Sequence, residues 1–295
     1  MPQDQYPIHV PVLLEEVLEG LLPASGGLYV DGTLGLGGHS EALLKRSGPA
    51  GRVVGFEWDE DAVSAGNLSR YGDRFTLIHA SYADLVPELQ QRGLHPINGL
   101  TADLGVSSLQ LDRAERGFSF RTDGELDMRM DRRRPLNAAQ LVAQAPEEQL
   151  ADIFYHYGEE RQARRIAKFV VNARQQEPIT TTGQLASIVA EAVPRRFHPP
   201  KIHVATKVFQ ALRIAVNGEL DNVTQLLNSA PEVLAVGARV AIITFHSLED
   251  RIVKQIFQKN PAYKVITKRP VEPTTEEMQH NPRARSAKLR VAERV

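Results

Sequence analysis

The chain has 295 residues, 42% of them hydrophobic and 24% charged, values of a globular protein that exclude wholesale disorder. It contains no cysteine, which excludes disulfides, thiolate metal sites and a cysteine nucleophile, and suits a reducing, cytoplasmic setting. The net charge of −1 conceals a division: residues 1–105 carry 6 Lys and Arg against 14 Asp and Glu, whereas residues 106–295 carry 29 against 22, so a polyanionic partner is expected to meet the second part.

The first residues hold Asp4, Glu15 and Glu16 where a secretory signal would need a basic patch before its apolar run. His9–Leu22 spaces Val10, Leu13, Leu14, Val17, Leu18, Leu21 and Leu22 as one face of a helix that Pro23 and Gly26-Gly27 end. Leu28–Val30 is a short apolar strand running into Asp31 and a glycine-rich turn. Arg52–Phe56 is a continuous apolar strand ending at Glu57, and Asp61–Tyr71 reads as helix. Phe75–His79 is a third strand, Asp84–Gln91 a helix, and Gly99–Ala102 a fourth strand leading into Asp103. This alternation predicts a parallel α/β sheet with right-handed crossovers.

After Gly105 the alternation stops. Gln110–Pro135 is charged and contains glycine; Asn137–Gln144, Pro146–Tyr157, Glu160–Gln175, Thr182–Ala192 and Val204–Asn217 read as helices. Sheet logic resumes at Val233–Ala235, which is expected to pack a helix end, and at Arg239–Phe245, a buried strand. Tyr263–Thr267 and Lys288–Val291 are candidate closing strands. The run Val233–Phe245 is broken by Arg239 and is too short to span a bilayer. The expectation is a Rossmann-like core formed by 1–109 and 211–295, with an inserted helical substrate-recognition domain at 110–210.

The turn Asp31-Gly32-Thr33-Leu34-Gly35-Leu36-Gly37-Gly38-His39-Ser40 separates two cofactor classes. A dinucleotide pyrophosphate would sit on the following helix N-terminus and be repelled by Asp31, and Ser40 stands where that fingerprint needs its last glycine. A sulfonium cofactor with a free amino group would welcome an acid there. The spacing Asp31-x-Thr33-x-Gly35-x-Gly37 resembles the D-x-G-x-G-x-G loop of S-adenosylmethionine-dependent methyltransferases, with Thr33 in place of the first glycine. Glu57, 20 residues past Gly37, stands where a carboxylate can accept from two vicinal ribose hydroxyls. Tyr82 can lay its ring against an adenine. Asp103 can contact the cofactor or accept a hydrogen bond from a substrate amino group. Asp31, Glu57, Tyr82 and Asp103 follow four successive strand ends, where open α/β sheets bind ligands. The nine histidines are scattered, and His198 and His203 lack matched neighbours, so no metal site is expected. His246 can orient a substrate or cap a turn.

Several longer runs are more specific than the glycine loop: DLGVSS (103–108), GFSFRTDGELDMRMD (117–131), TKVFQALRI (206–214), ITFHSLEDRIVK (243–254) and NPRARSAKLRVAER (281–294). With DGTLGLGGHS they resemble, in order and over essentially the whole chain, the RsmH (MraW) family of bacterial small-subunit ribosomal RNA cytosine-N4 methyltransferases. The resemblance implies a class I methyltransferase fold with a helical insertion, S-adenosylmethionine as donor, and a decoding-centre cytidine of 16S rRNA as acceptor. It also implies cofactor contacts from Gly37, Gly38, His39, Glu57, Tyr82, Asp103 and Gln110, beside Asp31 and Gly35 of the same loop. Glu57 stands where the family often has Asp, and Tyr82 where it often has Phe; both keep the chemistry.

The basic part then gains a role. Arg113, Arg116, Arg121 and Arg129 interleave with Phe118 and Phe120, a mixture suited to phosphate contact and base stacking. Residues 192–218 contain Arg195, Arg196, Lys201, Lys207 and Arg213 without one acid, and the tail adds Arg283, Arg285 and Lys288. The expected partner is 16S rRNA in the small ribosomal subunit, with no membrane; monomer and homodimer both fit this reading. A non-catalytic, cofactor-sensing assembly factor, or a methyltransferase for another nucleic-acid amino group, stays open as an alternative.

Overall fold

The computed structural model describes residues 11–65 and 68–295. In chain order its elements are α1 (Leu14–Leu21), β1 (Leu28–Asp31), α2 (Gly38–Arg46), β2 (Arg52–Phe56), α3 (Glu60–Ala65), β3 (Phe75–Ile78), α4 (Leu85–Gln91) and β4 (Ile97–Asp103). There follow α5 (Ser108–Asp112), α6 (Ala138–Gln144), α7 (Glu147–His156), α8 (Ala163–Gln176), α9 (Thr182–Ala192) and α10 (Thr206–Asn217). The chain closes with α11 (Glu219–Ser229), β5 (Leu234–Thr244), α12 (Ser247–Lys259), β6 (Tyr263–Val265), α13 (Thr275–His280) and β7 (Lys288–Arg294). It divides into two units: residues up to Gly105 with Leu220–Val295, and Val106–Glu219 between them.

The first unit is built on one seven-stranded sheet of order β3-β2-β1-β4-β5-β7-β6. β1 to β5 are parallel, whereas β7 runs antiparallel to both β5 and β6. Strands covered on both faces need apolar residues at consecutive positions. β5 supplies them: Val240 and Ile242 join the core on one face, Ala241 and Ile243 the core on the other. α1 and α2 pack on the second of these faces, while residues of α4, α11 and α12 fill the first. This is a doubly wound α/β architecture with one antiparallel strand, β7, inserted between β5 and β6.

Several elements differ from expectation. The helix expected at 61–71 is two pieces, α3 and a 3-10 segment at Ser69–Arg74, and residues 66 and 67 lie outside the described ones, as do His9 and Val10 of the first helix. Of the Val233–Ala235 stretch, Leu234 and Ala235 belong to the same strand as Arg239: β5 is one 11-residue strand, with a register shift against β4 and Gly237 at φ +82° between its two apolar parts. α11, α12 and α13 were not expected. Their signals were nevertheless present, since Val223, Leu226 and Leu227, and then Leu248, Ile252, Val253 and Phe257, recur at helical spacing.

The helical unit has its own core, in which α7 lies against α8 and α10, and α8 against α9. α6 and α9 open with reciprocal capping boxes, Asn137 with Gln140 and Thr181 with Gln184. Between α5 and α6 regular structure is limited to a 3-10 turn at Ala114–Arg116 and an isolated bridge from Glu125 to Thr181, and side chains satisfy part of the remaining backbone. Asn217, fully buried at the end of α10, accepts from Met130 N–H at 2.8 Å and donates to Met128 C=O at 2.8 Å. Met128 holds φ +63°, an uncommon conformation for a residue with a side chain. Its own N–H donates to Arg116 C=O at 3.0 Å. Replacing Asn217 by Ala would strand two buried backbone groups, and the expected cost is about 2–4 kcal/mol. Chemical denaturation should report that loss as a lower midpoint.

Candidate functional site

From β1 the chain winds outward to β2 and β3, then returns to place β4 on the other side of β1. The crevice at such a reversal, outside the carboxyl ends of the strands, is where an open α/β sheet binds its ligand. Asp31 ends β1, Asp103 ends β4, Glu57 directly follows β2, and Tyr82 begins a 3-10 turn shortly after β3.

The glycine loop is stitched to these strand ends by backbone hydrogen bonds. Gly32 N–H donates to Thr101 C=O and Leu34 N–H to Phe56 C=O, each at 2.8 Å. Thr33 explains its departure from the glycine motif: its Oγ1 accepts from Asp103 N–H at 2.6 Å, tying the loop to β4. Gly35 and Gly37 adopt φ +53° and +82°, conformations that favour glycine. A Cβ on Gly38 would fall 2.3 Å from Pro11 Cγ, so α2 starts in direct contact with the segment before α1.

Asp31, expected to meet the cofactor, has both carboxylate oxygens engaged by its own loop and the helix that follows. It is 1% exposed, with Oδ1 accepting from Thr33 N–H at 3.1 Å and Oδ2 from Ser40 Oγ at 2.8 Å. Those bonds fix the loop to the first turn of α2. His39 is likewise buried, its Nε2 3.0 Å from Val12 C=O, and burial lowers its pKa and keeps the ring neutral against the pull of Asp31. Both residues support the loop from beneath.

Glu57 Oε1 accepts from Trp58 N–H and Asp59 N–H, each at 2.9 Å, and Oε2 from Gly35 N–H at 2.8 Å. Burial outweighs these donors and pushes its pKa up to about 7. Asp103 Oδ1 is buried with no hydrogen-bond partner among the described residues. Burial first, then repulsion from Asp31 and Glu249, drives its pKa well above the ordinary carboxylate range. Tyr82 is buried with its ring 5.6 Å from that of Trp58 at an interplanar angle of 50°. Sequence reasoning missed Trp58, Ser40 and Glu249. Trp58 had a signal, as the only tryptophan of the chain and the neighbour of Glu57.

His246 caps α12, its side chain accepting from Glu249 N–H. Gln110, described within the helical unit, is buried in a capping box with Ser107, Oε1 accepting from Ser107 N–H at 2.9 Å.

The basic residues expected on RNA divide sharply. Arg116 is a correction: it is 1% exposed, and its guanidinium donates to the carbonyls of Arg129 and Met130, so it is spent on the fold. Phe118 is buried, 5.7 Å below that guanidinium, and fills core, whereas Phe120 is half-buried and packs on His203 and Phe209. Arg129 chelates Asp127 through two nitrogens and donates to two carbonyls with the third. Arg121, Lys201, Arg283 and Arg285 are exposed, while Arg113 and Lys288 are half-buried.

A positively charged donor fits the switch point on the chemistry of its acids. Asp31, Glu57 and Asp103 are all pushed toward their neutral forms by burial, and a nearby cation reverses that shift. Asp103 Oδ1 offers an unused acceptor, and Glu57 Oε2 has capacity for one more donor.

The sequence model of the MraW methylase family matches residues 7–295. The chain belongs to that family. A relative in Desulfotalea psychrophila, named ribosomal RNA small subunit methyltransferase H, is 57% identical, the match covering 99% of this chain and all of the relative. A protein of the same name in Cyanothece is 49% identical over 98% of this chain and 95% of its own. Among solved structures, an rRNA methylase from Streptococcus thermophilus aligns over 100% of this chain and 99% of its own with a TM-score of 0.45 and 13% identity.

If Glu57 holds the ribose of the donor, the sign of its pH dependence is fixed: hydroxyls would donate to the ionised carboxylate, so a diol there would bind better as pH rises through about 7. Adenosine carries that diol without an ionisable amine. Its affinity by calorimetry should rise about tenfold from about pH 6 to about pH 8, and Glu57→Gln should flatten the rise.

Proposed function

We propose that this chain transfers a methyl group from S-adenosylmethionine to N4 of a cytidine in the decoding centre of 16S rRNA. It is an S-adenosylmethionine-dependent methyltransferase of small-subunit ribosomal RNA, and the cytidine and its amino nitrogen are the finer part of the reading. The observation that carries this part is the buried, unpartnered Oδ1 of Asp103 at the switch point, an acceptor suited to an amino group.

S-adenosylmethionine supplies, when bound, an electrophilic methyl group on a sulfonium sulfur. Glu57 would hold the ribose hydroxyls and the loop through Gly35, Gly37 and Gly38 would bring its backbone close to the donor. Tyr82 and Trp58 would offer the adenine an aromatic wall. Asp31 and His39 would hold the loop, Asp31 adding negative potential from beneath. The exocyclic amine of cytosine is a weak nucleophile because its lone pair is delocalised into the ring. Asp103 Oδ1 accepts from one of its N–H bonds, which localises the lone pair and orients the nitrogen. Once the nitrogen carries the methyl group it sheds a proton, and the raised pKa of Asp103 suits Oδ1 to receive it and pass it to water.

A target base must leave its stack to enter such a site, which favours a loop or single-stranded segment. The helical unit, Val106–Glu219, would recognise the RNA, with Arg121 and Lys201 on phosphates, and Arg285 and Lys288 adding contacts from the core unit. No described helix is long and apolar enough to cross a membrane, and the ribosomal substrate puts the work in the cytoplasm.

Small-subunit particles from cells lacking this chain, incubated with it and methyl-labelled donor, should gain label at one cytidine, identified as N4-methylcytidine by mass spectrometry. Asp103→Asn should slow transfer roughly ten- to hundred-fold while binding the donor. Transfer at the wild-type rate would remove Asp103 from the chemistry, and no transfer by the wild type would leave an assembly factor.

A further inference from the structure

Within the helical unit, the segment 194–203 (PRRFHPPKIH) lies between α9 and α10. It is held at both ends by buried residues, Ala192 and Val193 before it, Val204 and Ala205 after it. Between these anchors almost every side chain faces solvent. Arg195, Arg196 and Lys201 are exposed, and no acid occurs from residue 192 to residue 218. In the same span Phe197 is 50% and Ile202 48% exposed.

A single exposed ring needs no explanation by itself; what sets Phe197 apart is that it is held in place and carries a cation on its face. Phe197 is fixed: it ends a 3-10 turn, its N–H donating to Pro194 C=O at 2.8 Å, and His198 anchors the next residue through Nε2, 2.9 Å from Val193 C=O. The Arg196 guanidinium stands over the Phe197 ring, 4.8 Å from its centroid. An arginine stacked on an exposed phenylalanine, beside further cations, is the chemistry that takes up an unstacked base and its phosphates.

We propose that Phe197 is a stacking platform for an unpaired nucleotide of the RNA substrate, with Arg195, Arg196 and Lys201 holding the adjoining phosphates. The proposal rests on the RNA reading above and adds to it a contact outside the chemistry at the strand ends. A lipid surface is the weaker occupant, because two apolar residues five apart in sequence, separated by Pro199 and Pro200, do not make the continuous apolar face an interfacial helix needs.

The test uses the full chain, small-subunit particles and a fluorescent single-stranded RNA oligonucleotide. Phe197→Ala should weaken oligonucleotide binding roughly five- to hundred-fold, with the salt dependence, the melting temperature and donor affinity unchanged. Phe197→Tyr should restore binding. Lys201→Gln should instead lower the slope of log affinity against log salt by about one. A photo-crosslinking residue at position 197 should label an unpaired nucleotide in the particles. Unchanged RNA binding in Phe197→Ala overturns the proposal. So does loss of binding that Phe197→Tyr does not restore, or binding of anionic phosphatidylglycerol vesicles in place of RNA. Wild-type chain that binds RNA through Phe197 but transfers no methyl group would overturn the catalytic reading and leave this contact standing.

Discussion

Everything at the strand ends depends on keeping carboxyl groups in a place that disfavours their charge. Asp31, Glu57 and Asp103 crowd the carboxyl ends of β1, β2 and β4, and burial is the first cause of the raised pKa of each. For Glu57 the displacement from 4.5 to about 7 corresponds to ~3 kcal/mol of disfavoured ionisation. The sign is clear. Between pH 4.5 and about 7 the folded chain binds more protons at Glu57 than the unfolded one, so this group's contribution to stability falls as pH rises through that window. A fold keeps such a group only if backbone donors restrain it or a ligand compensates it. The loop supplies the restraint through Gly35 N–H and the amides of Trp58 and Asp59; for Asp103 no donor stands in the same role.

That contrast separates what the sequence could disclose from what it could not. Strand ends are legible, because an apolar run stops at the first acid; Asp31, Glu57 and Asp103 were placed correctly on that ground. The direction each carboxylate faces is not legible, since it depends on what competes for its oxygens. Ser40, read only as a misfit to a dinucleotide motif, turns out to hold Asp31 Oδ2. Thr33, read as a lapse from a glycine pattern, ties the loop to Asp103. In both cases a hydroxyl acts across a gap in sequence that periodicity does not span. α11 and α12 differ in kind, for their apolar spacing is legible in the sequence and stands beside runs that read as strands.

Charge was the least transparent signal. Counting arginines suggested one basic surface, yet in the helical unit many of them serve carbonyl groups. Arg116 satisfies Arg129 and Met130, Arg129 satisfies Arg132 and Arg134, Arg134 reaches Asn217, and Arg174 reaches Val142 and Ala145. An irregular chain carries as many polar backbone groups as a helix and has no ladder to absorb them. A guanidinium, with five donors in a fixed fork, is the side chain best able to gather several carbonyls at once. The run LDMRMD, so specific in sequence, owes that specificity to this lattice: Met128 at positive φ is held by Arg116 C=O on one side and by Asn217 on the other.

The same reasoning says which cations are left for a polyanion. An arginine surrounded by unsatisfied carbonyls is already committed, and a phosphate would have to outbid several buried hydrogen bonds to move it. An arginine in a short, capped turn with its backbone satisfied locally has no such commitment. The segment between α9 and α10 is of the second kind, because its amides and its histidine rings close their bonds within a few residues. Local satisfaction of the backbone therefore frees the side chains. On that physical distinction the proposed RNA contact of the helical unit falls on residues 195–201, whereas the arginine-rich run 113–134 owes most of its charge to holding itself together.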